Sequence, residues 1–250
     1  MSSYDLQKIP TRAPDNLDKE EIKQQTKELI DELEELQNKL FAEDKWSLLV
    51  ILQGMDASGK DGAVREVFSA VNPQGVKVKS FKVPTERELA HDFLWRVHQH
   101  TPRRGLIQIF NRSHYEDVLV TRVLGLTDDA TANKRFALIN SFEQLLQERG
   151  TQIIKFYLHI SQEEQKERFH DRLNNPRKHW KYNPNDLKTA EDWPLYRKYY
   201  GEVFENCGPQ IPWTIVPADQ NWYKEYLVAK TIVETLRSLD MKYPGLETVE

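Results

Sequence analysis

Two kinds of apolar run alternate along this chain. From Asp18 to Glu43, Ile22, Leu29, Leu33, Leu36 and Leu40 recur at mostly three- and four-residue steps, the spacing of an amphipathic helix. Its seam either packs within the domain or faces a second chain as a short coiled coil. Trp46–Gln53 instead reads WSLLVILQ without polar alternation, as a strand buried on both sides of a parallel sheet does. Four further strand-like runs follow: Val76–Val83, nearer an edge, then Gly105–Phe110, Thr151–Ile160 and Pro212–Pro217. Helical patterns separate them. Thr85 and Glu88 form a capping box that opens a helix to about His98. Another helix runs from about Thr131 to Arg149 and stops at Gly150. Ser161 and Glu164 cap the next, and Asp219 precedes a final amphipathic helix to about Asp240. Within His91–His98, Phe93, Leu94 and Val97 read as core and Arg96 as a surface pair, with an acceptor pocket as the alternative. Alternating strand and helix predicts an α/β protein, a parallel five-stranded sheet with helices on both faces. Residues 1–17 carry Pro10 and Pro14 without periodicity and read as a loosely held arm; residues 18–245 read as one domain.

The turn after the first strand carries chemistry. Gly54–Gly62 reads GMDASGKDG and leads into a helical pattern. Strand, GxxxxGK and helix in that order make a phosphate-binding loop. Backbone N–H groups around Gly54, Ala57, Ser58, Gly59, Asp61 and Gly62 would point at one anion, and Lys60 adds a full charge. The residue after that lysine is ordinarily Ser or Thr, whose hydroxyl holds Mg2+; here it is Asp61. Asp56 stands mid-loop, where a bare carboxylate would repel phosphate by a few kcal/mol at ~4 Å. A divalent cation between them reverses the sign, so Asp56 reads as a metal ligand and Asp61 as a helix-start residue.

The third strand ends in Asn111, Arg112, Ser113, His114, Tyr115, Glu116 and Asp117. Arg112 can grip a phosphoryl group in a bidentate manner. Glu116 and Asp117 can fold back toward the ion of Asp56 or simply start a helix. His114 reads as a packed histidine. Lys82, near the C-terminal end of the second strand with Lys79, either holds an acceptor phosphate or is an edge lysine.

Residues Asn174–Trp193 interrupt the alternation with polar residues, Pro176 and Pro184, where a mobile lid belongs. Around it cluster Arg168, Arg172, Arg177, Lys178 and Lys181, with Trp180, Tyr182 and Trp193 interleaved. Such a cluster can close over an anionic donor and exclude water.

Charge sharpens this reading. The chain's net charge is −4, yet residues 168–181 hold five basic residues and one acid, a local +4. An acidic whole with one basic stretch argues for a localised anion site and against nucleic-acid binding. No apolar run has membrane-spanning length and no signal pattern opens the chain, so a cytoplasmic protein is expected. Cys207 is the only cysteine, which excludes an internal disulfide.

Five segments together resemble the family 2 polyphosphate kinases: GMDASGKDG, SFKVPTERELAHDFLWRVHQHTP, IFNRSHYEDVLVTRVLG, RLNNPRKHWKYNPNDL and VPADQNWYKEYLVAKTIVETL. The resemblance covers roughly residues 35–245. It implies a three-layer αβα P-loop kinase fold, similar to thymidylate kinases, with a helical lid. It implies phosphoryl transfer between inorganic polyphosphate and nucleotides with Mg2+, Mn2+ being the alternative ion, and a homo-oligomer, dimer or tetramer. By resemblance, Asp56 and Asp117 bind metal, Lys60 and Arg112 bind phosphate, and Arg168, Arg172, Lys178 and Lys181 belong to the lid. Many members read DRSWYNR where this chain reads NRSHYED, a variant similar to the single-domain subset acting on AMP as well as ADP, with GMP and GDP as further acceptors. An ATP-dependent nucleotide kinase of thymidylate-kinase type is the alternative. A guanine-nucleotide switch is disfavoured because neither Asn-Lys pair continues into Asn-Lys-x-Asp.

Overall fold

The computed structural model describes residues 5–181 and 192–246, with the side chain of Lys181 outside that set. Five parallel strands form one sheet in the order β2-β3-β1-β4-β5. They are β1 (Ser47–Gly54), β2 (Val76–Ser80), β3 (Ile107–Asn111), β4 (Thr151–His159) and β5 (Trp213–Pro217). The central β1 pairs with β3 on one side and β4 on the other, Leu52 standing opposite both Asn111 and Phe156. The apolar run in β1 is explained by this position. Leu49 and Ile51 enter one core while Leu48, Val50 and Leu52 enter the other.

Nine α-helices lie among the described residues: α1 (Lys19–Glu43), α2 (Lys60–Val67), α3 (Glu86–Leu89), α4 (Trp95–His98), α5 (Val120–Val123), α6 (Asp129–Glu148), α7 (Gln162–Asn174), α8 (Trp193–Cys207) and α9 (Asn221–Arg237). The core on one face holds α1, α2 and α9, through Leu33, Leu36, Leu40, Val67, Val228 and Ile232. The opposite core holds α6 and α8, through Phe136, Ile139, Phe142, Tyr200 and Phe204. Layers of helix, sheet and helix result. The seam of α1 lies inside the domain, so Leu33, Leu36 and Leu40 do not offer a coiled-coil face. Arg237 of α9 also pairs with Glu32 of α1.

Two local readings change. The expected helix from Thr85 to His98 is two separate turns, α3 and α4; the capping box of Thr85 and Glu88 is present at the first. Arg96 is not a surface pair. It is 6% exposed, donates to the Lys82 carbonyl at 2.9 Å and lies 3.7 Å from Asp117. Residues 6–13 of the N-terminal arm touch the domain at several points. Leu6 is buried, His159 bonds the Leu6 and Ile9 carbonyls, and Thr11 and Ala13 bond Asp219 and Gln220. Polar side chains at the ends of β4 and β5 satisfy this backbone, a long-range pairing that local periodicity does not encode.

Candidate active site

The C-terminal ends of β1 and β3 bring two chemical segments together. β1 runs into Gly54, whose φ of +149° and crowded flank exclude a side chain: a Cβ there would stand 2.7 Å from the Leu158 carbonyl. The chain then wraps tightly, Ser58 N–H donating to the Met55 carbonyl, before α2 begins at Lys60. Lys60 curls back inside the loop. Its ammonium donates to the Gly54 and Met55 carbonyls at 2.8 and 3.1 Å. Burial pushes it down to about 8, with the Arg112 guanidinium adding to the effect.

Arg112 follows β3 in the left-handed region, φ +62°, a conformation that costs a non-glycine residue roughly 1–2 kcal/mol. That bend turns its guanidinium over the loop. It bonds Asp56 at 2.5 Å and Glu116 at 3.2 Å, and Glu116 foremost holds it above the usual guanidinium range. Asp56, Arg112 and Glu116 line a cleft with Gly54, Met55, Val120, Tyr196 and Tyr200. Tyr200 accepts from Gly54 N–H at 3.2 Å and so braces the loop from α8. The two tyrosines were not evident in the sequence; their four-residue spacing reads equally well as core.

Asp61 accepts a 2.6 Å hydrogen bond from Asn111 at the end of β3. The acid thus sits on the helix start and the neutral amide on the strand, and the two turns are tied together. Asp117 does not line the cleft. Its carboxylate is buried beside Arg96, and burial raises it above the usual carboxylate range. Its Oδ2 is buried without a hydrogen-bond partner.

Beneath the Arg112 segment lies a buried polar cluster. Glu143 accepts from Lys155 at 2.7 Å and from Tyr115 at 2.8 Å, and His114 lies 3.2 Å away. Lys155 also donates to the Cys207 carbonyl. Burial opposes ionisation of Glu143, yet His114 and Lys155 bring it below its ordinary value. His114 is thus packed, as read from sequence. The cluster anchors Tyr115, and with it the Arg112 segment.

The basic residues divide. Arg168 donates to the Ala57 carbonyl at 2.8 Å and to the Ala218 and Asp219 carbonyls at 2.7 and 2.9 Å, while Glu164 holds its Nε. It staples α7 to the phosphate loop rather than reaching outward. Arg172 lies over the Phe169 ring, Lys178 pairs with Asp171, and Arg177 and Trp180 are exposed. Trp193 is buried in the α6–α8 core, which removes it from any stacking role. Lys82 is exposed on the loop after β2. Lys181's side chain and Tyr182 lie outside the described residues.

Among the described residues no group of three or more His, Cys, Asp or Glu gathers as a metal site. Mg2+ needs no such group, since it keeps several waters and takes one or two carboxylates plus substrate phosphates. Asp56 stands beside the loop, while Asp117, ion-paired with Arg96 through the same Oδ2, lies outside the cleft lining.

A parallel α/β sheet with a GxxxxGK turn after its central strand, and with acids and an arginine from the neighbouring strand, defines a P-loop kinase fold. Residues 16–244 match the family described as Polyphosphate kinase 2 (PPK2), and the chain belongs to it. It is 51% identical over 217 residues to an AMP/ADP-polyphosphate phosphotransferase of Meiothermus ruber, covering 86% of this chain and 81% of that protein. It is 41% identical to an ADP-polyphosphate phosphotransferase of Rhodopseudomonas palustris, covering 96% and 88%. The crystal structure of polyphosphate kinase 2 from Arthrobacter aurescens TC1 superposes with a TM-score of 0.95 at 40% identity, covering 100% of this chain and 91% of that one. These similarities support the polyphosphate reading over the ATP-dependent alternative.

Proposed function

We propose that the protein transfers phosphoryl groups between inorganic polyphosphate and nucleotides, with AMP and ADP as acceptors and Mg2+ as the ion. The observation that carries this is the cleft in which Arg112 and Asp56 meet at the mouth of the phosphate loop, in a chain of this family. The Meiothermus ruber relative is named for both AMP and ADP, which supports both acceptors here; GMP and GDP extend the same reading.

In the forward direction the acceptor's terminal phosphate oxygen attacks the terminal phosphorus of polyphosphate. A new P–O bond forms, the P–O bond to the next unit breaks, and the donor leaves one unit shorter. The attacking oxygen is already ionised, so no strong general base is required. Lys60 and Arg112 stabilise charge on the transferring group, and the loop holds it in line. Asp56 and Asp117 would hold the ion, with Glu116 at the cleft wall, and the ion when bound neutralises facing phosphate oxygens. Before that, Asp56 must exchange its bond to Arg112, which frees the guanidinium for phosphate. Arg172, Arg177, Lys178 and Lys181 shield the donor from water. A cytoplasmic homo-oligomer is part of the same proposal; among the described residues no helix is long and apolar enough to cross a membrane.

The test is incubation with long-chain polyphosphate and each nucleoside mono- and diphosphate, separated by chromatography, with and without chelator. ADP and ATP should form from AMP, and ATP from ADP, only with divalent ion. Asp56→Asn should lower turnover at least ~100-fold, as loss of transition-state charge stabilisation does. Transfer that persists in excess chelator, or at wild-type rate in Asp56→Asn, refutes the assignment.

A further inference from the structure

The phosphate loop has a second flank. Lys224, in the first turn of α9, is 1% exposed, and its ammonium lies against Gly59. A Cβ added at Gly59 would stand 2.6 Å from Lys224 Nζ and 3.3 Å from Arg168 Nη1, and one at Gly62 3.7 Å from Lys224 Nζ. Gly59 is the N-cap of α2, with φ +92°. The close approach therefore needs glycine twice, for the backbone angle and for the room.

This is a poor place for a cation unless an anion joins it. The N-terminus of a helix carries partial positive charge, Arg168 adds a whole one, and Lys60 is the next residue. Against this, Lys224 has Asn221 Oδ1 at 2.7 Å, a neutral acceptor, and Glu225 at 3.9 Å, beyond hydrogen-bond reach. Two of its three N–H groups have no acceptor within hydrogen-bond distance among the described residues. Burying an incompletely paired charge is destabilising. Burial, with Arg168 and Arg65 nearby, brings the ammonium down to about 8.

The flank is also separate from the cleft. α9 packs on the sheet face that holds α1 and α2. Tyr196, Tyr200 and the segment around Tyr115 pack on the other face. Two substrates meeting at one loop need two approaches, one from the side of Arg112 and Glu116 and one from the side of Lys224. We propose that Lys224 binds the donor, contacting the phosphate units of polyphosphate that continue past those held by the loop. This rests on the proposed function. It makes Lys224 a specificity determinant: a linear polyphosphate continues as phosphate at that flank, whereas a nucleoside triphosphate changes to a sugar.

The experiment compares wild type, Lys224→Met and Lys224→Arg by calorimetric titration with tripolyphosphate and long-chain polyphosphate, by KM for AMP and ADP, and by thermal melting of the free protein. Lys224→Met should weaken long-chain polyphosphate binding at least ~10-fold, the loss of one charge-assisted hydrogen bond. Lys224→Arg should recover most of it. The acceptor KM should hold, and the free Lys224→Met protein should melt no lower than wild type. Unchanged polyphosphate affinity overturns the inference, as does a lower melting temperature with donor and acceptor affinities falling together. A wild-type protein that binds polyphosphate without transferring from it refutes the proposed function and leaves the subsite to be judged by binding. A wild type that does not bind polyphosphate refutes both.

Discussion

Lys60 gives a prediction whose size follows from the structure. Its ammonium sits at about 8 against 10.5 for a free lysine, and at 1.36 kcal/mol per unit this corresponds to about 3 kcal/mol. The sign follows from proton counts. Below the folded value both states hold the proton and the whole penalty is present. Between pH 8 and 10.5 the unfolded chain holds more protons than the folded one, so stability rises with pH. Lys60→Met removes that dependence. It also leaves the Gly54 and Met55 carbonyls without their donor, a loss of roughly 1–3 kcal/mol that does not vary with pH. The wild-type protein should therefore gain about 3 kcal/mol on the variant between pH 7 and 10.5. Lys224 titrates alike in both proteins and cancels. Urea unfolding of the pair at pH 7, 9 and 10.5 reads the difference. Parallel pH profiles would refute the buried, charge-strained lysine.

Three other outcomes follow from particular contacts. Lys155→Met leaves Glu143 buried without its counter-charge and should cost about 3–5 kcal/mol in denaturant unfolding, while Lys155→Met with Glu143→Leu should cost less. Arg168→Ala removes the bonds to the Ala57, Ala218 and Asp219 carbonyls. Steady-state kinetics should show a fall in kcat of roughly 10–100-fold through a misplaced loop. Asp117 has its carboxyl raised by burial, so its charge destabilises the free protein above that value and the penalty vanishes below the unfolded one. Asp117→Asn should then melt at or above wild type near pH 7 while losing turnover; unchanged turnover would remove it from the metal assignment.

Much of the sheet was legible because its central strands carry a two-sided apolar run, and because Ser161 and Thr85 cap helices as their spacing indicates. The phosphate loop was legible for the same reason: its glycines answer to local backbone geometry. What sequence could not supply was direction. Arg168 lies in a basic run, yet its guanidinium is turned inward onto carbonyls of β5's end and the loop. Asp117 neighbours Glu116, yet one faces Arg96 and the other Arg112. Adjacent residues on a tight 3-10 turn, His114–Val118, diverge, and no periodicity tells which side faces the ligand. Arg96 was misread, and the ties of Leu6, Ile9, Thr11 and Ala13 to the domain were not evident, because their partners lie far along the chain. Lys224 was not evident in the sequence because a lysine in an amphipathic helix reads as solvated.

The central claim is that the donor is a phosphate polymer. It is tested most directly by kcat/KM for two donors side by side, long-chain polyphosphate and ATP, with AMP as acceptor and Mg2+ present, followed by phosphorus NMR. Polyphosphate should be the better donor by at least ~100-fold, the scale of one or two charge-assisted contacts made to it alone, with polymer signal falling as ADP and ATP signals rise. Equal or greater efficiency with ATP, and an unconsumed polymer, would contradict the account.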